Sequence, residues 1–515
     1  MASSAVLGAP TAIRGLRWYI CALLFLVTLI NYVDRVSLGA LAPLLQQSIG
    51  WDDAQFGWIN FSFALAYSGM FGIAGRLIDR VGVKTGLALG VALWSIACMG
   101  HSLVSSALGF AAMRFLLGVG EAANFPACIK AIAEWFPRRQ RSLATGLFNT
   151  GTNFGAMAQG GLLLIATSLS WRSVFLLVGV LGLLWLVAWL RLYRDPGSHP
   201  NLGAEERELI RDGQEPGAAE SVRIPWPVLL RHREAWAFLL GKMLTDPVWW
   251  FYLTWLPTYL KRDRGISLAS TASTLVIIYI AADLGSVVGG WLPGRLMRAG
   301  WEPGRARLSV MLLCALALPL SALSSVVHEL WITVALISVA TAGHQAWSAN
   351  LYTVASDTFP KPAVASVVGF GGMCGGIGGL FMNLIAGGML QWLGSYAPLF
   401  IFAGVMHPLA WLAIRFLVRG RLQQVTLSTD QGAQPSLLLR RCGLSLLAFG
   451  TALSGLVALS WGAILEATRH SVAAAAGGVA SGVLVALLGA ALLYASREQP
   501  AANAPAGARQ LSPST

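Results

Sequence analysis

The chain has 515 residues, of which 56% are hydrophobic and only 11% charged. A soluble domain carries about a quarter charged residues, so this composition excludes a soluble enzyme, a nucleic-acid binder and a disordered scaffold. The formal net charge of +13 then bears on topology, because Lys and Arg of a membrane protein gather in its cytoplasmic loops.

Apolar runs long enough to cross a bilayer recur from Trp18 to Ala495. The N-terminus, MASSAVLGAPTAIRGLRWYI, lacks a cleavable signal pattern, and the first span is expected to stay in the protein. Spans fall at roughly 17–41, 54–78, 85–105, 107–134, 143–168 and 172–193. The polar, Gly-, Pro- and Glu-rich stretch from Arg194 to Glu234 follows and reads as a linker. Six further spans fall at roughly 235–260, 270–294, 308–326, 330–356, 363–390 and 397–418, and two more at roughly 442–465 and 471–495.

The expected fold is an all-α membrane protein of 14 spans, built as two six-helix bundles plus two additional C-terminal helices. The bundles occupy 1–193 and 235–420, with cytoplasmic linkers over 194–234 and 421–441. The extra two-helix hairpin covers 442–495, and a disordered cytoplasmic tail covers 496–515. With the N-terminus cytoplasmic, 26 of the 36 Lys and Arg residues lie on the cytoplasmic side. Five (Arg172, Lys261, Arg262, Arg264 and Arg469) lie opposite, and five fall within spans. Both termini are therefore expected in the cytoplasm of a multi-pass inner-membrane protein. Six scattered cysteines form no C-x-x-C pair and read as packing residues.

The halves repeat. At an offset of 223, Gly120, Phe136, Pro137 and Gly146 fall on Gly343, Phe359, Pro360 and Gly369, and Glu134 falls on Asp357. Parallel repeats around a central linker are the build of a rocker-type secondary transporter.

Between spans two and three stands GRLIDRVGVK, which supplies Gly75, Asp79, Arg80 and Gly82. The segment reads as a tight turn at Gly82, with Asp79 near a helix N-terminus and Arg80 as a clamp of one conformational state. Its G-x-x-x-D-R-x-G pattern resembles the gating motif of the major facilitator superfamily. The segments RWYICALLFLVTLINYVDR, GEAANFPACIKAIAEWFPRRQRSLATGLFNTGTNFGA, LTDPVWWFYLTWLPTYL and GHQAWSANLYTVASD narrow the likeness. They resemble its anion:cation symporter family, and within it the hexuronate (galacturonate and glucuronate) transporters, from about Arg17 to Arg419. The resemblance implies proton-coupled symport of a sugar-acid anion by alternating access. Aldonate or aldarate carriage is the alternative within the family, and a transport-dead sensor is the alternative outside it.

Charges within spans are costly and mark function or pairing. A sugar acid needs a guanidinium for its carboxylate and neutral donors for its hydroxyls. By the family match Arg35 is the carboxylate ligand, and Tyr67 matches a substrate-facing position. Asp34 and Glu121 are the candidate proton carriers, with Arg114, seven residues before Glu121, orienting it or simply packing. Lys242 and Asp246 stand four apart before Pro247, where a neutralised pair and a ligand role fit equally. His344, Gln345, Trp347 and Asn350 make a polar and aromatic stripe in which Trp347 would stack on the sugar ring. Asp283 has no assigned role.

The glycines Gly371, Gly375 and Gly379 form an i, i+4 stripe suited to close helix approach during rocking. No H-E-x-x-H, Walker A or G-x-S-x-G motif is present, so the expected protein is not an enzyme. No cofactor or metal is expected beyond the coupling proton. The expected partners are a small organic anion, protons and membrane lipid, with no nucleic acid, in a monomer.

Overall fold

The computed structural model describes residues 12–211, 225–266, 268–418, 422, 424 and 425. They fold as α1 (Leu16–Ile49), α2 (Asp53–Gly100), α3 (Ala107–Glu121), α4 (Asn124–Trp135), α5 (Arg138–Asn149), α6 (Gly151–Met157), α7 (Gln159–Ser168) and α8 (Trp171–Leu192). After α9 (Ala204–Arg211) and α10 (Trp226–Leu229) come α11 (Arg233–Arg262), α12 (Leu268–Arg298), α13 (Pro303–Ala317), α14 (Leu330–Thr358), α15 (Lys361–Leu393) and α16 (Ala397–Leu417). Among the described residues there is no strand. The expected spans at 442–465 and 471–495, and the tail beyond them, lie outside the described residues.

Among the described residues, eight helical stretches are long and apolar enough to cross a membrane. One of them, Gln55–Leu103, holds two of the expected spans, folded about Gly82 at φ 82° and ψ 162°. That backbone conformation suits glycine, which has no Cβ to clash. The eight leave out three of the twelve expected spans that fall among the described residues. The fifth is broken into α5, α6 and α7, α11 carries Lys242 and Asp246 at mid-length, and α14 carries the His344–Gln345 stripe. These three segments all line the cavity described below, together with α1, α2 and α4.

The Phe-Pro pairs of the repeat adopt the same turn. Phe136 ends α4 and Phe359 ends α14, both extended, and Pro137 and Pro360 cap α5 and α15. The repeated glycines mark the two seams between the halves. A Cβ on Gly146 would meet the Ser286 carbonyl of α12, and one on Gly369 would meet the Phe71 carbonyl of α2. The α5–α12 and α2–α15 crossings therefore run backbone to backbone.

The stripe Gly371, Gly375 and Gly379 packs differently from expectation. It faces Phe238, Asp246 and Trp250 of α11, within its own half. The seam toward α2 is carried instead by Gly369, Gly372 and Gly376, against Phe71 and Ser68.

At the basic end, α9 ties the linker to the first helix. Glu206 accepts hydrogen bonds from the Leu16 and Arg17 amides at 3.0 and 3.2 Å and pairs with the Arg17 guanidinium. A carboxylate at a helix N-terminus satisfies orphaned N–H groups and complements the dipole.

Candidate functional site

A cavity of about 640 Å³, counting the part open to solvent, lies between the halves. From the first half, Tyr32 and Arg35 of α1, Tyr67 of α2 and Phe125 of α4 line it, with Asn149 and Thr152 where α5 gives way to α6. From the second half come Lys242, Asp246 and Trp249 of α11, and His344, Gln345, Ser348 and Tyr352 of α14.

Arg35 donates from Nη2 and Nε to Glu121 Oε2 at 2.8 and 3.1 Å. Its guanidinium carbon lies 4.4 Å from the Tyr67 ring centroid and 4.6 Å from that of Tyr32. Tyr32 and Asn31 sit three and four residues before Arg35, so one helical face presents all three. Glu121 is wholly buried behind Arg35 and reaches the cavity only through it. Arg114 does not pair with Glu121; its Nη2 donates to the Arg35 carbonyl at 3.1 Å and so braces α1. Asp34, one residue round the helix, does not line the cavity, and its carboxyl group is buried.

The opposite wall carries a second charge pair. Lys242 Nζ binds Asp246 Oδ2 at 2.8 Å and donates to the Tyr352 hydroxyl at 2.9 Å. Both sides of the cavity thus present a cation already held by a carboxylate. The charged groups are balanced, and each cation is steered by aromatic rings. Between them Asn149 Nδ2 donates across the halves to Gln345 Oε1 at 2.8 Å. One turn further, Asn153 Nδ2 donates to Asp283 Oδ1 at 2.6 Å.

The stripe expected on α14 divides. At about 100° per residue, His344, Gln345, Ser348 and Tyr352 share one face, and Trp347 and Asn350 turn away from it. Trp347 is fully buried against His407, and Asn350 donates to the Gly289 and Ala346 carbonyls, so neither lines the cavity. The aromatic ring expected of Trp347 is supplied by Trp249, stacked on His344. Tyr32, Asn149, Thr152 and Tyr352 were absent from the expected ligands, and Asp246 lines the cavity as the partner of Lys242. The three-residue spacing from Arg35 is the signal that could have found Tyr32, whereas the break at Thr150 that turns Asn149 and Thr152 inward has no sequence signal as strong. No group of three or more His, Cys, Asp or Glu side chains suits a metal among the described residues.

Residues 24–382 match the family described as Major Facilitator Superfamily. The chain belongs to the major facilitator superfamily. It is a multi-pass membrane transporter, not an enzyme. It is 33% identical over 406 residues to the hexuronate transporter of Escherichia coli K12, covering 78% of this chain and 94% of that one. It is 36% identical over 284 residues to the galacturonate transporter of Dickeya chrysanthemi, covering 55% and 82%. In fold it is similar to a proton:xylose symporter of this superfamily, with a TM-score of 0.63 at 14% identity, covering 80% of this chain and 97% of that one.

Within this superfamily member, the G-x-x-x-D-R-x-G segment closes the basic end. Asp79 accepts from the Ser366 and Ala365 amides near the start of α15 at 2.7 and 3.3 Å, and pairs with Lys130 at 2.8 Å. A Cβ on Gly75 would strike the Ala365 carbonyl. The clamp expected of Arg80 belongs to Asp79: Arg80 is exposed and forms no hydrogen bond or ion pair among the described residues. The second seam is locked by Asp357, which binds Arg141 of the other half at 3.0 Å and Arg307 at 2.6 Å.

Proposed function

We propose that the chain is a proton-coupled symporter of a sugar-acid anion, a hexuronate, that works by alternating access in the inner membrane with its basic end in the cytoplasm. The observation that carries this reading is the Arg35–Glu121 pair at the cavity wall. A substrate carboxylate that docks on Arg35 competes with Glu121 for the same guanidinium fork. The cavity is charge-balanced before binding, so an added anion leaves one buried negative charge in excess. A proton on Glu121 removes that excess and releases the fork to the substrate, so anion and proton load together. Asp34, buried one residue away with no counter-ion in contact, is the second candidate carrier.

The rest of the cavity suits a hydroxylated ring. Tyr32, Tyr67 and Trp249 offer flat faces, while Asn149, Gln345 and the Lys242–Asp246 pair offer donors and acceptors for hydroxyls. The relatives named for hexuronate and galacturonate support this substrate class. Both seams are engaged at the basic end, which corresponds to a carrier shut on the cytoplasmic side. Rocking would break the Asp79 and Asp357 contacts and close the opposite end.

Uptake of labelled galacturonate, glucuronate and galactonate into proteoliposomes tests the reading. The expected result is concentrative galacturonate or glucuronate uptake under an inward proton gradient, abolished when the gradient is collapsed. Uptake indifferent to the gradient, or restricted to galactonate, overturns it.

A further inference from the structure

Two histidines meet in the wall of the cavity. His344 Nδ1 and His407 Nε2 are 3.0 Å apart. His344 lines the cavity, its ring stacked on Trp249 at 5.2 Å and 8°. His407, from α16, is wholly buried and does not reach the cavity. The Trp347 ring meets it edge-on, with centroids 5.3 Å apart. Two polar atoms of this cluster, His407 Nδ1 and Trp347 Nε1, are buried without a hydrogen-bond partner.

The charge that bears on His344 is the Lys242 ammonium, and neither ring forms an ion pair with a carboxylate among the described residues. Both rings are buried, and a buried charge without a partner is costly, so both imidazoles are neutral and each carries one N–H. Two arrangements satisfy the 3.0 Å contact. In one, His344 donates from Nδ1. Then His407 must carry its hydrogen on Nδ1, where nothing among the described residues accepts it. In the other, His407 donates from Nε2 to His344 Nδ1. His407 Nδ1 is then an unpaired acceptor rather than an unpaired donor, and His344 carries its hydrogen on Nε2. Buried orphan donors are rarer than under-used acceptors, and the second arrangement leaves one orphan donor, on Trp347, where the first leaves two.

We infer that His407 is a positioning residue that fixes His344 in its Nε2–H form, so that this wall of the cavity offers the substrate a hydrogen-bond donor. The subsite takes an oxygen that accepts (carboxylate, ring or hydroxyl) and disfavours an ammonium, which would face both this N–H and Lys242. It rests on reading the cavity as the sugar-acid site.

The test uses the full chain with ring-15N histidine, in detergent and without substrate, His344 being assigned by its loss in His344→Gln. The expected spectrum shows His344 protonated at Nε2 in the wild type and in His407→Gln, whose amide still donates. His407→Leu is expected to mix the two forms. In transport, His407→Leu should raise KM for the sugar acid about tenfold, the effect of one hydrogen bond, with melting temperature near wild type and KM recovered in His407→Gln. A His344 protonated at Nδ1 in the wild type, a tautomer unmoved by His407→Leu, or an unchanged KM overturns the inference. The spectrum is read without substrate, so it stands or falls separately from the substrate assignment, which wild-type uptake tests.

Discussion

Arg35 of α1 grips Glu121 of α3 through two hydrogen bonds, while the Arg35 backbone carbonyl accepts from Arg114 of the same α3. The cavity's guanidinium and its buried acid are therefore one mechanical unit. A ligand that draws the Arg35 head group toward the cavity loosens Glu121, and neutralising Glu121 frees Arg35.

Arg35→Lys keeps the charge and loses the planar fork. One ammonium cannot serve Glu121 and a substrate carboxylate in the same geometry. Losing one charge-assisted hydrogen bond of roughly 1.5–3 kcal/mol weakens binding about 10- to 100-fold. Calorimetry with galacturonate is the check, and near-wild-type affinity would remove Arg35 from the substrate's carboxylate.

Glu121→Gln is an analogue of the protonated carrier. The substrate site is then permanently released from competition, and nothing couples its loading to pH. Exchange of labelled for unlabelled substrate should survive while proton-driven accumulation disappears. If Glu121→Gln vesicles still concentrate substrate under a pH gradient, coupling resides elsewhere, with Asp34 next.

The helices and the charged positions within them were legible in the sequence because apolar runs and isolated charges stand out locally. What the charges bind was not. Arg114 and Glu121 share a helix and seven-residue spacing, which suggested a pair, yet the partner of Glu121 came from α1. Spacing along one helix says nothing about what a neighbouring helix inserts between two residues. The α14 stripe failed for a different reason: four polar or aromatic residues within seven positions cannot all face one way at 3.6 residues per turn. The glycines of α15 show both effects, since two interleaved registers serve two different neighbours.

Asp79→Asn should loosen the basic end. The substitution removes the ion pair with Lys130 and weakens two hydrogen bonds from α15. A loss of about 1.5–3 kcal/mol shifts the balance of states by about 10- to 100-fold. A cysteine placed at Ala365, fully buried in the seam, in a chain lacking the six native cysteines, reports this as faster alkylation by a polar maleimide. An unchanged rate would mean that Asp79 does not hold the seam.

Gly146→Val should stop transport by another route. Its side chain would collide with the Ser286 carbonyl, and backbone at a seam cannot yield as a flexible side chain does. The basic end should then fail to close, with the protein still inserted. Gly161→Val is the control, since a Cβ there meets nothing within 4 Å. Equal loss in both variants would point to general misfolding rather than to the seam.

The last prediction concerns residues beyond the carrier proper. The 406 residues aligned with the E. coli hexuronate transporter account for 94% of that protein but 78% of this chain. The family match ends at residue 382, and the cavity and both seams are built from residues before 420. The sequence after Asp430 contains two apolar runs with no Asp, Lys or Arg at mid-depth, and its ionisable groups Glu466, Arg469 and His470 cluster between them. Nothing in those runs offers a ligand to a sugar acid or a carrier for its proton. A chain ended near Asp430 should therefore insert and take up hexuronate at close to the full rate, normalised to the amount in the membrane. Lost uptake at normal membrane abundance would show that the appended pair takes part in the transport cycle.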